Sequence, residues 1–156
     1  MQESADLELI GNIIKCKAND IADVDMKAKL TEKGYAEENI KAALDLLDTD
    51  EFITIRTIPI LAPINPIYYT IGEHKVTVEK RILWGLFKDS NDVGIRTIDN
   101  VSIEQRIISA NLVVTHSGKQ ELHIEKITKS AAKKIGKFFG DVIESQRAKV
   151  INIAQD

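Results

Sequence analysis

The sequence holds a single cysteine, Cys16, so no intrachain disulfide can form, and a reducing, cytoplasmic setting is expected. It also lacks an unbroken apolar run long enough to cross a membrane. The most apolar segment, residues 53–71, is interrupted by Arg56, Asn65 and the prolines Pro59, Pro63 and Pro66. The opening MQESADLELI has no basic region followed by an apolar stretch, so no signal peptide is expected. Catalytic signatures are missing as well. His74, His116 and His123 show no H-E-x-x-H and no His/Cys metal spacing. His116 and His123 fall on neighbouring predicted strands and could approach, but a metal pair needs further ligands. No G-x-x-x-x-G-K-S/T loop is present to cradle phosphate, and no G-x-S-x-G elbow to present a serine. The carboxylates occur at no spacing that singles out an acid/base pair. The expectation is a non-enzymatic protein with no cofactor and no metal.

What is present is the composition of a soluble globular chain: 44% apolar and 29% charged residues in a length of 156. That length holds one ordinary domain, or a small domain with a helical appendage. Charge is unevenly spread. Residues 1–51 carry 13 acidic and 6 basic side chains, a net of −7; residues 52–156 carry 11 and 15, a net of +4. Ordinary surface solvation accounts for such a split, but so does attraction between the two parts, or a basic part that faces an anionic partner.

Residues 1–51 read as three short helices. Ser4 is placed to cap the first, over 5–15, with Leu7, Ile10, Ile13 and Ile14 on one face. Asp25 is placed to cap the second, over 26–33, which Gly34 would stop. The third starts near Ala36, with Glu37 and Glu38 in its first turn and Ile40, Ala43, Leu44 and Leu47 as its buried stripe. Three helices followed by FITIRTIP and PIYYTI also fit a winged helix, whose hairpin would be 52–58 against 66–71. Its recognition helix would carry Glu37, Glu38, Asp45 and Asp48 against Lys41 alone. Phosphate contacts need cations, so winged-helix nucleic-acid binding by this region stands only as a further alternative.

Residues 52–66 read as a proline-containing strand and linker, extended and semi-rigid over Pro59–Pro66. Beyond it, strands are predicted near 67–71, 75–84, 93–98, 101–107, 110–116 and 120–124, with 86–92 a polar loop and Ser117-Gly118 a tight turn. From about Thr128 the period becomes helical, and a helix is predicted over 127–149. Ile127, Ala131, Ile135, Phe138 and Val142 form its apolar stripe. Lys126, Lys129, Lys133 and Lys137 lie nearly opposite, where solvent would be. Gly136 and Gly140 form a G-x-x-x-G that suits close approach to a sheet.

The order of these elements carries a family likeness. YYTIGEHKVTVEKRILWGLF, then GIRTIDNVSIEQRIISANLVVTHSGKQELHIEKI, then TKSAAKKIGKFFGDVIESQ, resemble bacterial pleckstrin-homology-like domains over about 66–148. Tyr69, Gly72-Glu73, the strand ending Trp84-Gly85, Ile98-Asp99-Asn100-Val101 and the Ser117-Gly118 turn carry the match. Gly72-Glu73 departs from the Thr-Asp usual in the family at that turn. The resemblance implies an α+β fold: a bent antiparallel sheet or partial barrel of seven strands, capped at one end by the C-terminal helix. It also implies binding of proteins, peptides or lipid headgroups, often by oligomers. The leading functional expectation is therefore protein–protein interaction or self-assembly, with Trp84, Leu86 and Phe87 as a candidate interaction loop. The alternative is peripheral binding to anionic membrane lipid through Lys80, Arg81, Lys88, Lys126, Lys129, Lys133 and Lys137.

Overall fold

Each change of apolar period along the chain marks a change of element. The structure is a computed structural model that describes residues 6–155, with side chains described through Ile151. Three helices come first: α1 (Leu7–Ala18), α2 (Asp23–Glu32) and α3 (Glu37–Leu47). A four-stranded antiparallel sheet follows in the order β1 (Ile53–Arg56), β2 (Ile67–Ile71), β3 (Lys75–Ile82) and β4 (Phe87–Gly94). A second antiparallel sheet holds β5 (Ile98–Gln105), β6 (Ala110–His116) and β7 (Gln120–Ile127). The chain ends in the 27-residue helix α4 (Lys129–Gln155). The fold is α+β, and the two sheets do not close into a barrel.

The helix ends show which local rules decided them. The Asp6 carboxylate caps α1, accepting hydrogen bonds from the Glu8 and Leu9 N–H groups; Ser4 lies outside the described residues. α1 also runs on to Ala18 rather than ending near Lys15. α2 starts at Asp23, earlier than expected, so Asp25 sits in its first turn instead of capping it. There Asp23 and Asp25 both oppose the positive end of the helix dipole. Gly34, at a φ of 99°, closes α2 as expected. Its N–H donates to the Thr31 carbonyl and that of Tyr35 to Leu30, the paired bonds of a Schellman motif.

The strands need more correction. The predicted polar loop 86–92 is strand β4, which pairs residue for residue with β3 from Ile82↔Phe87 to Lys75↔Gly94. Its side chains are almost all exposed, so apolar alternation never marked it. An edge strand with both faces wet is held by backbone pairing, and Asp, Ser and Asn do not prevent that. The expected strand 93–98 is divided: Val93 and Gly94 finish β4, and 95–97 cross to β5. The proline-rich segment is the loop between β1 and β2, whose register runs Ile53↔Ile71 to Arg56↔Tyr68.

One hydrophobic core joins α1, α2 and α3 to both sheets and α4. α4 buries Ala132, Ile135, Phe138, Phe139 and Val142, a wider arc than a helix that only covers a sheet. The reason is that α1 packs on its second flank. Gly11 lets the two helices close, since a Cβ there would lie 2.5 Å from Asp141 Oδ2. Lys15 Nζ pairs with Asp141 Oδ1 at 2.7 Å, and Lys137 Nζ reaches Glu8 at 3.2 Å. On the sheet flank, Gly136 faces Ile103 Cδ1 across the space a Cβ would fill. Phe52 meets Phe138 edge to face at 5.7 Å. A second junction lies at Asp50, whose carboxylate accepts from the Glu73 and His74 N–H groups of the β2–β3 turn.

Backbone hydrogen bonds sort the connections into two ends. At one, Ile95 N–H donates to His74 at 2.7 Å and Ser117 N–H to Thr97 at 2.9 Å, gathering the turns after β2, β4 and β6. At the other, Ile58 N–H donates to Lys126 at 2.7 Å, and Trp84 N–H to Ile64 at 3.1 Å. That end gathers the β1–β2 loop, the β3–β4 hairpin and the start of α4. The β5–β6 turn also belongs there, because Ala110 pairs with Ile127, the neighbour of Lys126.

Candidate functional site

The β3–β4 hairpin turns through three consecutive positive φ angles: 52° at Leu83, 55° at Trp84 and 92° at Gly85. Only the glycine takes that region freely; Leu83 and Trp84 occupy it at a steric cost of about 1–2 kcal/mol each. The conformation is held from the side. Leu83 N–H donates to Asn65 Oδ1, Trp84 N–H to the Ile64 carbonyl and Arg81 N–H to that of Pro66. The hairpin and the β1–β2 loop therefore form one surface.

That surface is apolar and uncovered. Trp84 is 76% exposed and Leu86 77% exposed, and Phe87, Ile82, Leu83, Ile60 and Ile64 are exposed beside them. A large side chain exposed singly is ordinary, whereas several on adjoining segments make this surface a candidate for contact.

The cations around it are arranged in turn. Arg81 stacks over the Tyr68 ring at 4.1 Å and binds Glu79 through its Nε at 2.6 Å. The Glu79 hydrogen bond raises the guanidinium pKa further above its ordinary value, so the charge is permanent. Arg56 approaches the same ring from the other strand at 5.7 Å. Lys88 pairs across the hairpin with Arg81. Four segments reach this end: 56–66, 80–88, 106–109 and 126–129. The first two hold Arg56, Lys80, Arg81 and Lys88; the last two hold Arg106, Lys126 and Lys129. None of the four contains an Asp or Glu; Glu79, Asp89 and Glu125 stand one residue back along the strands and Glu104 two, with Glu79 bound to Arg81 and Glu104 to Arg106.

The expected site residues thus divide. Lys80, Arg81 and Lys88 flank Trp84, Leu86 and Phe87 on one hairpin, and the Ile58 bond ties Lys126 to the same end, three residues before α4 begins at Lys129. Lys133 is exposed farther along α4. Lys137 is not part of this surface; it faces α1 and is paired with Glu8. Arg56, Ile60 and Ile64 belong to the surface and were not expected, because a linker reading hides which way a loop folds. Lys80 also borders a cleft of about 420 Å³ between the sheets, lined by Tyr69, Asp89, His123 and Glu125. The Tyr69 hydroxyl accepts from Glu125 N–H there, and burial raises its pKa.

His116 and His123 are not brought together. His116 is buried against Ser117 Oγ at 3.1 Å, while His123 is exposed beside Glu121. Among the described residues no group of three His, Cys, Asp or Glu could hold a metal ion, and no helix is long and apolar enough to cross a membrane. No protein-family model, curated protein or solved structure matches this chain.

Proposed function

We propose that this chain is a non-enzymatic, pleckstrin-homology-like binding module that docks its loop end on an anionic membrane surface. The observation that carries this reading is an exposed apolar hairpin surrounded by cations, with no carboxylate among the tip segments. The two features act together. Each basic residue close to an anionic leaflet contributes on the order of 1 kcal/mol, and apolar side chains entering the interface add about 25 cal/mol per Å² of area removed from water. The family likeness implies seven antiparallel strands followed by a capping helix, and the seven strands in two sheets followed by α4 support the module reading.

The test is co-sedimentation of the full chain with phosphatidylcholine vesicles, with and without phosphatidylserine. Binding is expected only with the anionic lipid, to weaken with salt, and to shift the emission of Trp84, the single tryptophan, to the blue. Equal recovery with both vesicle types, or with neither, overturns the reading.

A second reading, a protein partner or self-assembly, is favoured by one observation. Among the described residues β4 lies at a sheet edge with no strand paired on its outer side, which suits addition of a strand from another chain. Sedimentation velocity over a concentration series tests it: a single monomeric species throughout removes self-assembly.

A further inference from the structure

The β5–β6 turn is a second apolar prong that the proposed docking hairpin does not include. Ile107 is 94% exposed and Ile108 55% exposed, in a turn where Arg106 N–H pairs back to the Ser109 carbonyl. These are the first residues any surface approaching that turn would meet. Nothing in the fold requires them to be apolar, since neither packs into the core. Ile103, further down β5, is exposed on the same strand and lies against α4 at Gly136.

We infer that Ile107 and Ile108 form a second insertion point, so that the module sits on an anionic bilayer through two apolar tips rather than one. The placement follows from the backbone. Ala110 pairs with Ile127; the preceding Lys126 carbonyl accepts from Ile58; and the loop continuing from Ile58 delivers the Ile64 carbonyl to Trp84. Three hydrogen-bonded connections thus link the two tips across one end of the molecule. The charges between them are complementary to phosphate: Lys126 stands on that connection at a φ of 56°, with its side chain exposed and its N–H fixed by Asn111 Oδ1. Arg106 flanks the second tip as Arg81 and Lys88 flank the first, although Glu104 partners it at 3.2 Å. One apolar tip leaves a protein free to rock on the surface. Two tips separated by a basic bridge fix its tilt, and make binding depend on both through effective concentration.

This inference rests on the membrane reading above, and one experiment separates their failures. The single tryptophan is moved: Trp84→Phe with Ile107→Trp keeps an aromatic at the first tip and places the reporter at the second. The full-length variant is titrated with phosphatidylserine-containing vesicles carrying brominated acyl chains, alongside the wild type. The expected result is a blue shift and bromine quenching at both positions. Ile107→Ser with Ile108→Ser should lower vesicle partitioning roughly tenfold with an unchanged melting temperature. Quenching at Trp84 with water-like, unquenched emission at position 107 overturns the second insertion point and leaves the membrane reading standing. No quenching at either position, with no protein recovered on the vesicles, overturns both. Emission from position 107 that shifts with protein concentration in the absence of vesicles also overturns the inference, because the tip would then be a seam between copies.

Discussion

The Trp84 N–H donates to the Ile64 carbonyl at 3.1 Å, so the most exposed ring of the β3–β4 hairpin is held in place by the backbone of the β1–β2 loop. A tip held this way presents its side chain without spending it on packing. Changing Trp84 and Leu86 to Ser should therefore alter folding stability by no more than about 0.5 kcal/mol. The same change should abolish the anionic-vesicle binding proposed above. Thermal melts read beside sedimentation check both halves.

The placement of that ring also predicts what fluorescence will miss. Trp84 is already in water in the folded chain, so heat unfolding followed by far-UV circular dichroism should show a transition that tryptophan emission wavelength barely registers. A large red shift on unfolding would mean that the ring is covered in solution.

The turn beneath the ring holds Leu83 at a φ of 52°. Replacing Leu83 with Gly should raise stability, or leave it unchanged within about 1 kcal/mol, because relief of the left-handed conformation offsets the added chain entropy. Denaturant titration measures it.

Two glycines in helices should answer the same substitution with opposite signs. Among the described residues nothing beyond the local helix backbone lies within 4 Å of the position a Gly140 Cβ would take, so Gly140→Ala should stabilise by about 0.5–1 kcal/mol through helix propensity. Gly11→Ala would press on Asp141, which Lys15 holds, and overpacking there should cost about 1–3 kcal/mol. Urea melts of the two variants test the tight α1–α4 contact directly.

The same contact predicts an alkaline sensitivity. The Lys15 pKa is raised above its ordinary 10.5, first by the Asp141 hydrogen bond and less by Glu144, against opposing desolvation. A raised lysine pKa means that the folded state holds the proton more tightly than the unfolded chain does. Its stabilisation is complete below pH 10.5 and is lost as the pH rises through the folded value. Tyr69, whose pKa burial raises above 10.0, acts in the same direction. Melting temperature should fall above about pH 10, less steeply in Asp141→Asn, and less again when Tyr69→Phe is added.

Periodicity made much of this fold readable. The stripe Ile135, Phe138 and Val142 is buried as its spacing requires, and β6 alternates Ala110, Leu112, Val114 and His116 inward. What periodicity could not show was a partner. Phe139 and Ala132 are buried because α1 lies against α4, a contact set by Gly11 and Lys15 some 120 positions earlier in the chain. β4 escaped because KDSND carries no apolar signal and is held by pairing alone. The hairpin tip was half visible. Trp84, Leu86 and Phe87 stand out as apolar residues at a break, but their union with Ile60 and Ile64 depends on a loop folding back, and that is decided by backbone hydrogen bonds. Of the lysines, only spatial neighbours separate Lys126, near the tips, from Lys137, neutralised by Glu8.

Asp50 has an effect beyond the turn it caps. Its carboxylate closes the N–H groups of Glu73 and His74, and its carbonyl lies so close to Gly72 that no larger residue could stand there. The last residues of the helical segment are thereby built into the sheet that follows. Helices and strands are fastened at this point as well as through α1 and α4, so loosening either should loosen the other. The chain is expected to melt in one cooperative step, and a cut at residue 51 would yield fragments that each lack a surface the other supplies.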